Sequence, residues 1–176
     1  MSFEKRIASI HPALLTIVTV AGSLFFSVFT ASTDDPLAYR AFIAVIFFAF
    51  VALGFLWLWS IYAVASVQVG ATAKWTIAFL LTPLLLAAGK LLLGDNSTGS
   101  EGIPAMLLRF ASGVLFIACV WKAAEAFEIA LSGKGAPIGK IGGTAVFLFF
   151  SIIGAWALRE RILVLVASAP STRQTA

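Results

Sequence analysis

The chain has 176 residues, of which 61% are apolar and 11% charged, with a formal net charge of +4. Soluble domains average about 45–50% apolar and roughly 25% charged, and a chain of this size keeps too much area exposed to hide such a surplus from water. A mean hydropathy of +1.03 therefore speaks against an ordinary water-soluble fold and for a bilayer as solvent, and the cations, standing singly between apolar segments, do not form the clustered basic surface of a nucleic-acid binder.

The N-terminal Glu4-Lys5-Arg6, the apolar stretch Pro12 to Thr30 and the small residues Ala31-Ser32 resemble a signal peptide. The stretch exceeds the usual apolar region of about 7–15 residues and approaches the roughly 20 that a spanning helix needs. The expectation is an uncleaved first span over 12–30. Asp34, Asp35 and Pro36 mark the turn that follows. A second uncharged stretch over 41–67 is longer than a span requires, so its helix should tilt or protrude, and Trp57, Trp59 and Tyr62 sit where an aromatic belt would form.

Gln68 to Lys74 is short enough to be the turn of a helical hairpin. The third span, 75–93, contains Pro83, which should kink it. Gly94 to Gly102 is the clearest loop in the chain; its Asn96-Ser97-Thr98 fits a glycosylation acceptor that is common by chance. A fourth span runs over 104–121 and continues as a helix to about 131, with Lys122, Glu125 and Glu128 at helical spacing. There the two glutamates should share one solvated face. A Gly-rich connection carrying Lys134 and Lys140 leads to a fifth apolar segment over 144–168, interrupted by Arg159-Glu160-Arg161. The expected fold class is an all-α, polytopic integral membrane bundle of four to five transmembrane helices, forming a single domain over 1–176.

With the N-terminus in the cytoplasm, Lys5, Arg6, Lys74, Lys122, Lys134 and Lys140 lie inside and Asp34, Asp35, Asp95 and Glu101 outside, as the excess of cations on cytoplasmic loops requires. The C-terminus is awkward, because a full fifth span sends Arg159, Arg161 and Arg173 outward. Either those arginines snorkel to the outer headgroups, or one of the last segments lies in the interface and the tail stays cytoplasmic.

Ionisable groups within apolar segments are costly and mark candidate sites. In the five-span arrangement Lys90, Arg109, Arg159 and Arg161 fall in one leaflet and form a candidate outer cationic vestibule attractive to anions; the competing reading is cations threaded to lipid phosphates. Lys122, Glu125, Glu128, Lys134 and Lys140 form a candidate cytoplasmic face for docking a protein partner. Gly133 to Lys140 does not fit a phosphate-loop register, since Ile141 follows the lysine. His11 sits at the inner mouth of the first span, where interfacial hydrogen bonding is its ordinary role, and Cys119 reads as a small packing residue.

One cysteine and one histidine cannot build an internal disulfide or a conventional zinc or haem site. Without a nucleophile–base set, neither enzymatic activity nor a cofactor or metal is expected. The function expected first is an oligomeric channel or permeation subunit in a bacterial inner membrane, working as a homo-oligomer or inside a larger complex, with membrane lipid as a partner and no nucleic acid. A non-conducting sensor or anchor subunit with a cytoplasmic partner comes second, and a lipid-modifying enzyme third.

Overall fold

The computed structural model describes residues 2–18, 20–21, 36–71, 73–93, 103–133 and 135–169. Among these every regular element is an α-helix. In chain order they are α1 (Phe3–Ala8), α2 (helical at 12–18 and 20–21), α3 (Pro36–Gln68), α4 (Thr76–Leu93), α5 (Ile103–Ser132), α6 (Ile138–Phe149), α7 (Ser151–Ala157) and α8 (Arg159–Ser168). Asp34, Asp35, Asp95, Glu101, Lys134 and Arg173 lie outside the described residues.

Within α3, Val51–Gln68 is long and apolar enough to cross a membrane, and it is the one segment among the described residues that is; Thr76–Leu86 and Ile138–Phe149 are shorter apolar helices. At 1.5 Å per residue α3 is about 50 Å long and α5 about 45 Å, against a hydrocarbon thickness of about 30 Å, whereas α6 reaches about 18 Å. Gly70 and Gly133 take positive φ just beyond the ends of α3 and α5. This is the left-handed conformation that lets a glycine turn the chain out of a helix.

The core is where α3, α4 and α5 meet. Trp57, Ile61 and Ala65 of α3 pack with Phe79 of α4 and with Cys119, Ala123, Ala124 and Phe127 of α5. The alanines on facing helices let the backbones approach closely, as in helix pairs that lack a hydrophobic driving force. Pro83 sits inside a continuous α4. The preceding residue, Thr82, donates its hydroxyl to the Ala78 carbonyl one turn back and lies 3.6 Å from the Cys119 sulfur, so a buried polar group is satisfied at the α4–α5 contact. The outer faces are the apolar ones: Ile77, Leu80, Leu81 and Leu84 form a stripe along α4, and Met106, Phe110, Val114 and Ile117 form another along α5.

The 144–168 stretch is not one helix. Phe150, at φ −88° and ψ 60°, ends α6, and Leu158 separates α7 from α8. A continuous helix would hold residues 147 and 154 about 10 Å apart along its axis. Here a Cβ on Gly154 would lie 1.9 Å from the Phe147 carbonyl oxygen, so the chain reverses and α7 folds back on α6. The return is anchored at its far end. Gln68, the last residue of α3, donates through Nε2 to Ser168 Oγ at 3.0 Å, and Lys5 Nζ donates to the Ala169 carbonyl at 2.6 Å. Leu158, Ile162, Leu165 and Ala169 turn one buried face of α8 to the bundle. α1, the end of α3 and the end of α8 therefore share one end of the molecule.

Gly154→Ala places a methyl group into a backbone carbonyl that cannot yield without opening the reversal, and should cost about 2 kcal/mol or more. Gly143→Ala, in the same hairpin with open space around it, should be neutral or gain about 0.5–1 kcal/mol from helix propensity. Equilibrium unfolding of both variants in detergent checks the contrast; equal effects would show that the close approach is not needed.

Candidate functional site

Polar chemistry collects at that common end, on two sides of α5. The helix period puts Glu125 and Glu128 only three positions apart, yet they serve different surroundings. Glu125 pairs with Lys122 at 2.6 Å, both about one-third exposed. Glu128 is 3% exposed, which differs from the solvated glutamate pair that the spacing suggests. The reason is the hairpin: α6 and α8 close over the side of α5 that carries Glu128.

The Glu128 carboxylate is bound from three directions. Arg161 Nη2, from α8, donates to both oxygens at 2.8 Å. The Thr144 hydroxyl, from α6, donates to Oε1. The Arg161 guanidinium also lies over the Phe127 ring, with Cζ 5.2 Å from its centroid, a cation–π contact. The arginine side chain is 43% exposed and that of the glutamate 4%. The pair thus has a buried acceptor and a donor that reaches toward the surface, and the anion carries the desolvation that its partners must offset.

On the other side, a cleft of about 220 Å³ opens between the end of α3, the turn after it and α5. Lys74 and Lys122 supply positive charge, Glu125 a negative one, and Tyr62, Ser66 and Trp75 form walls. The Tyr62 hydroxyl accepts the Trp75 backbone N–H at 3.3 Å, its ring stacks on Phe79 with centroids 5.2 Å apart, and Lys122 Nζ sits 5.9 Å from the Trp75 ring centroid. The Trp59 indole N–H donates to Thr76 at 3.3 Å.

The structure divides the four cations of the candidate vestibule. Arg161 is taken by Glu128, a residue that the sequence assigns to the opposite face. Arg159 is exposed beside a small cavity of about 30 Å³ that also touches Pro12 of α2 and Trp57 of α3. Lys90 and Arg109 belong to α4 and α5, and their side chains lie outside the description. Among the docking residues, Lys122 and Glu125 line the cleft, Glu128 is enclosed and Lys140 is exposed on the first turn of α6. Thr144, Tyr62, Ser66, Lys74 and Trp75 are not singled out by the sequence. The one available signal was the alanine around Glu128, in Ala123-Ala-Glu-Ala-Phe-Glu128, which is the composition of a buried helix face rather than a solvated one. His11 packs edge-on against Trp156 at 5.7 Å, and the Trp156 indole N–H donates to Thr16 at 3.3 Å, so the start of α2 is fastened to α7. No group of three metal-ligating side chains occurs among the described residues.

Comparison with known proteins finds no family model, no curated protein and no solved structure that matches this chain.

The two partners of the ion pair should not be equivalent. Arg161→Met leaves a buried carboxylate with Thr144 as its remaining partner and should cost about 2–3 kcal/mol, below the full range for a buried pair because the arginine is partly solvated. Glu128→Gln frees a guanidinium that can reach water and should cost about 1 kcal/mol. The double variant should be more stable than Arg161→Met alone, which a double-mutant unfolding cycle in detergent measures. A double variant that sums the two losses would contradict the pairing.

Proposed function

We propose that the chain is a polytopic protein of a bacterial inner membrane that works at its cytoplasmic face as a non-conducting sensor or anchor subunit, rather than as an oligomeric channel. The observation that carries this reading is the Arg161–Glu128 pair. It draws toward the end of α5 a cation that an outer vestibule would need. In this arrangement the apolar stretch 12–30 and the helices α3, α4 and α5 supply the four spans. α6 and α7 form a re-entrant hairpin that enters about 18 Å and returns, and the tail stays on the side of the N-terminus. Lys5, Arg6, Lys74, Lys122, Lys140, Arg159 and Arg161 then all lie toward the cytoplasm, and the conflict between charge and hydropathy that a fifth span creates disappears.

Two further features support the membrane. Large apolar side chains are outside and small polar ones inside: Ile77 is 75% and Phe110 71% exposed, while Ser60, Thr82 and Ser112 are buried. Their hydroxyls bond to carbonyls of their own helices, as hydrocarbon demands of any polar group. Exposed stripes of this length exceed what a water-soluble monomer tolerates.

The cytoplasmic surface available to a partner comprises the Lys122–Glu125 pair and Lys140. Reconstituted into planar bilayers, the purified protein should carry no current above the lipid background, and a cysteine at Ser168, in a Cys119→Ala background, should be inaccessible to an impermeant thiol reagent added outside, with Asp95→Cys as the labelled control. An ion-selective conductance that changes in Arg109→Ala would restore the channel reading.

A further inference from the structure

We propose that the cleft between α3, its following turn and α5 is a headgroup site for an anionic phospholipid of the inner leaflet. The proposal rests on the membrane reading above and names the ligand of its charged end.

Size is the first argument. Sites for ordinary small molecules occupy about 300–1,000 Å³, whereas this cleft is smaller, at about 220 Å³. That suits a phosphodiester headgroup whose chains remain outside, and is too little for a folded peptide segment. Charge is the second. Lys74 and Lys122 against Glu125 leave one net positive charge at the cleft, complementary to one phosphodiester. Lys74 is exposed and has no ion-pair partner among the described residues.

The third argument is the polarity of the inner wall. Ser66 lines the cleft and brings a hydroxyl donor beside the two lysines, where a phosphate oxygen can accept from it. The walls are also what an interfacial site requires: Tyr62 and Trp75 are amphipathic rings of the kind that sit at headgroup level, and the Trp75 backbone N–H holds the Tyr62 hydroxyl. Two residues beyond Trp75 the exposed stripe of α4 begins at Ile77, giving acyl chains an apolar surface continuous with the headgroup. Lys74 and Lys122 then hold the phosphate as point charges, Ser66 donates to one of its oxygens, and the Lys122–Glu125 pair keeps the second ammonium over Trp75.

The test is titration of the purified protein, in a non-ionic detergent, with dioctanoyl phosphatidylglycerol, with dioctanoyl phosphatidylcholine and with inorganic phosphate, followed by tryptophan emission and by complex retention in native mass spectrometry. Saturable binding of phosphatidylglycerol is expected, at least tenfold tighter than phosphatidylcholine, weakened about tenfold in Lys74→Ala and several-fold in Ser66→Ala. Lys74 is exposed and its removal leaves the fold intact. Trp75→Phe should abolish most of the emission change while complexes persist in the mass spectrum. Equal responses to the two lipids, unchanged binding in Lys74→Ala, or competition by millimolar phosphate as effective as that of the lipid would each overturn the proposal. Such a failure leaves the one-faced topology standing, whereas conductance or an externally labelled tail would remove that topology without altering the detergent titration.

Discussion

The Glu128 carboxylate is a charge enclosed by protein near the end of α5, and the C-terminal third of the molecule is arranged to make that tolerable. A buried anion requires a cation and further donors. The cation comes from α8 and the hydroxyl from α6. Both can reach the same oxygens only if the chain between Thr144 and Arg161 turns round. The reversal at Phe150 and the glycine at 154 satisfy this geometric condition, because no side chain fits between α7 and the Phe147 carbonyl. Breaking a pair of this kind is costly even where forming it gains little over an apolar substitute, so its strongest effect is on specificity: it selects a returning hairpin over a straight span.

That selection also sets where charge sits along the bundle. With α8 returned beside α3, its end meets Gln68 and Lys5, and Arg161 comes toward the end that also carries the Lys122–Glu125 cleft. The opposite faces of α4 and α5 keep stripes of large apolar side chains, suited to lipid. Under the proposed function, charge placed at that end serves a subunit acting at one membrane face, whereas a pore would line a polar axis through its whole length.

The helical class and the long helices α3, α4 and α5 were legible from apolar runs broken by turn formers, since hydropathy and Gly-rich loops act over tens of residues. The reversal was not legible. The stretch Phe147-Leu-Phe-Phe-Ser-Ile-Ile-Gly154 contains no proline and no charged residue, so its apolar length suggested one helix through 144–168, and a kink set by a single close backbone approach leaves no periodic trace. The ion pair was hidden for the same reason. Glu128 and Arg161 were placed on opposite membrane faces by counting spans, and one misplaced turn inverts every later assignment. Glu125 and Glu128 looked alike because spacing gives the face of a helix without saying which neighbour covers it. Ser66 and Thr144 carry no compositional signal at all, since isolated hydroxyl residues are ordinary in apolar helices.

The returning hairpin is tested most directly by cross-linking its end to α3. In a Cys119→Ala background with Gln68→Cys and Ser168→Cys, a short bifunctional thiol reagent applied to native membranes should join the two positions within one chain, as their side chains are in hydrogen-bond contact at 3.0 Å, while Asp95→Cys with Ser168→Cys should remain unlinked. Efficient joining of the first pair alone is the result this account predicts. Absence of that link, with Ser168→Cys joined instead to Asp95→Cys, would place the two ends of the bundle differently and contradict it.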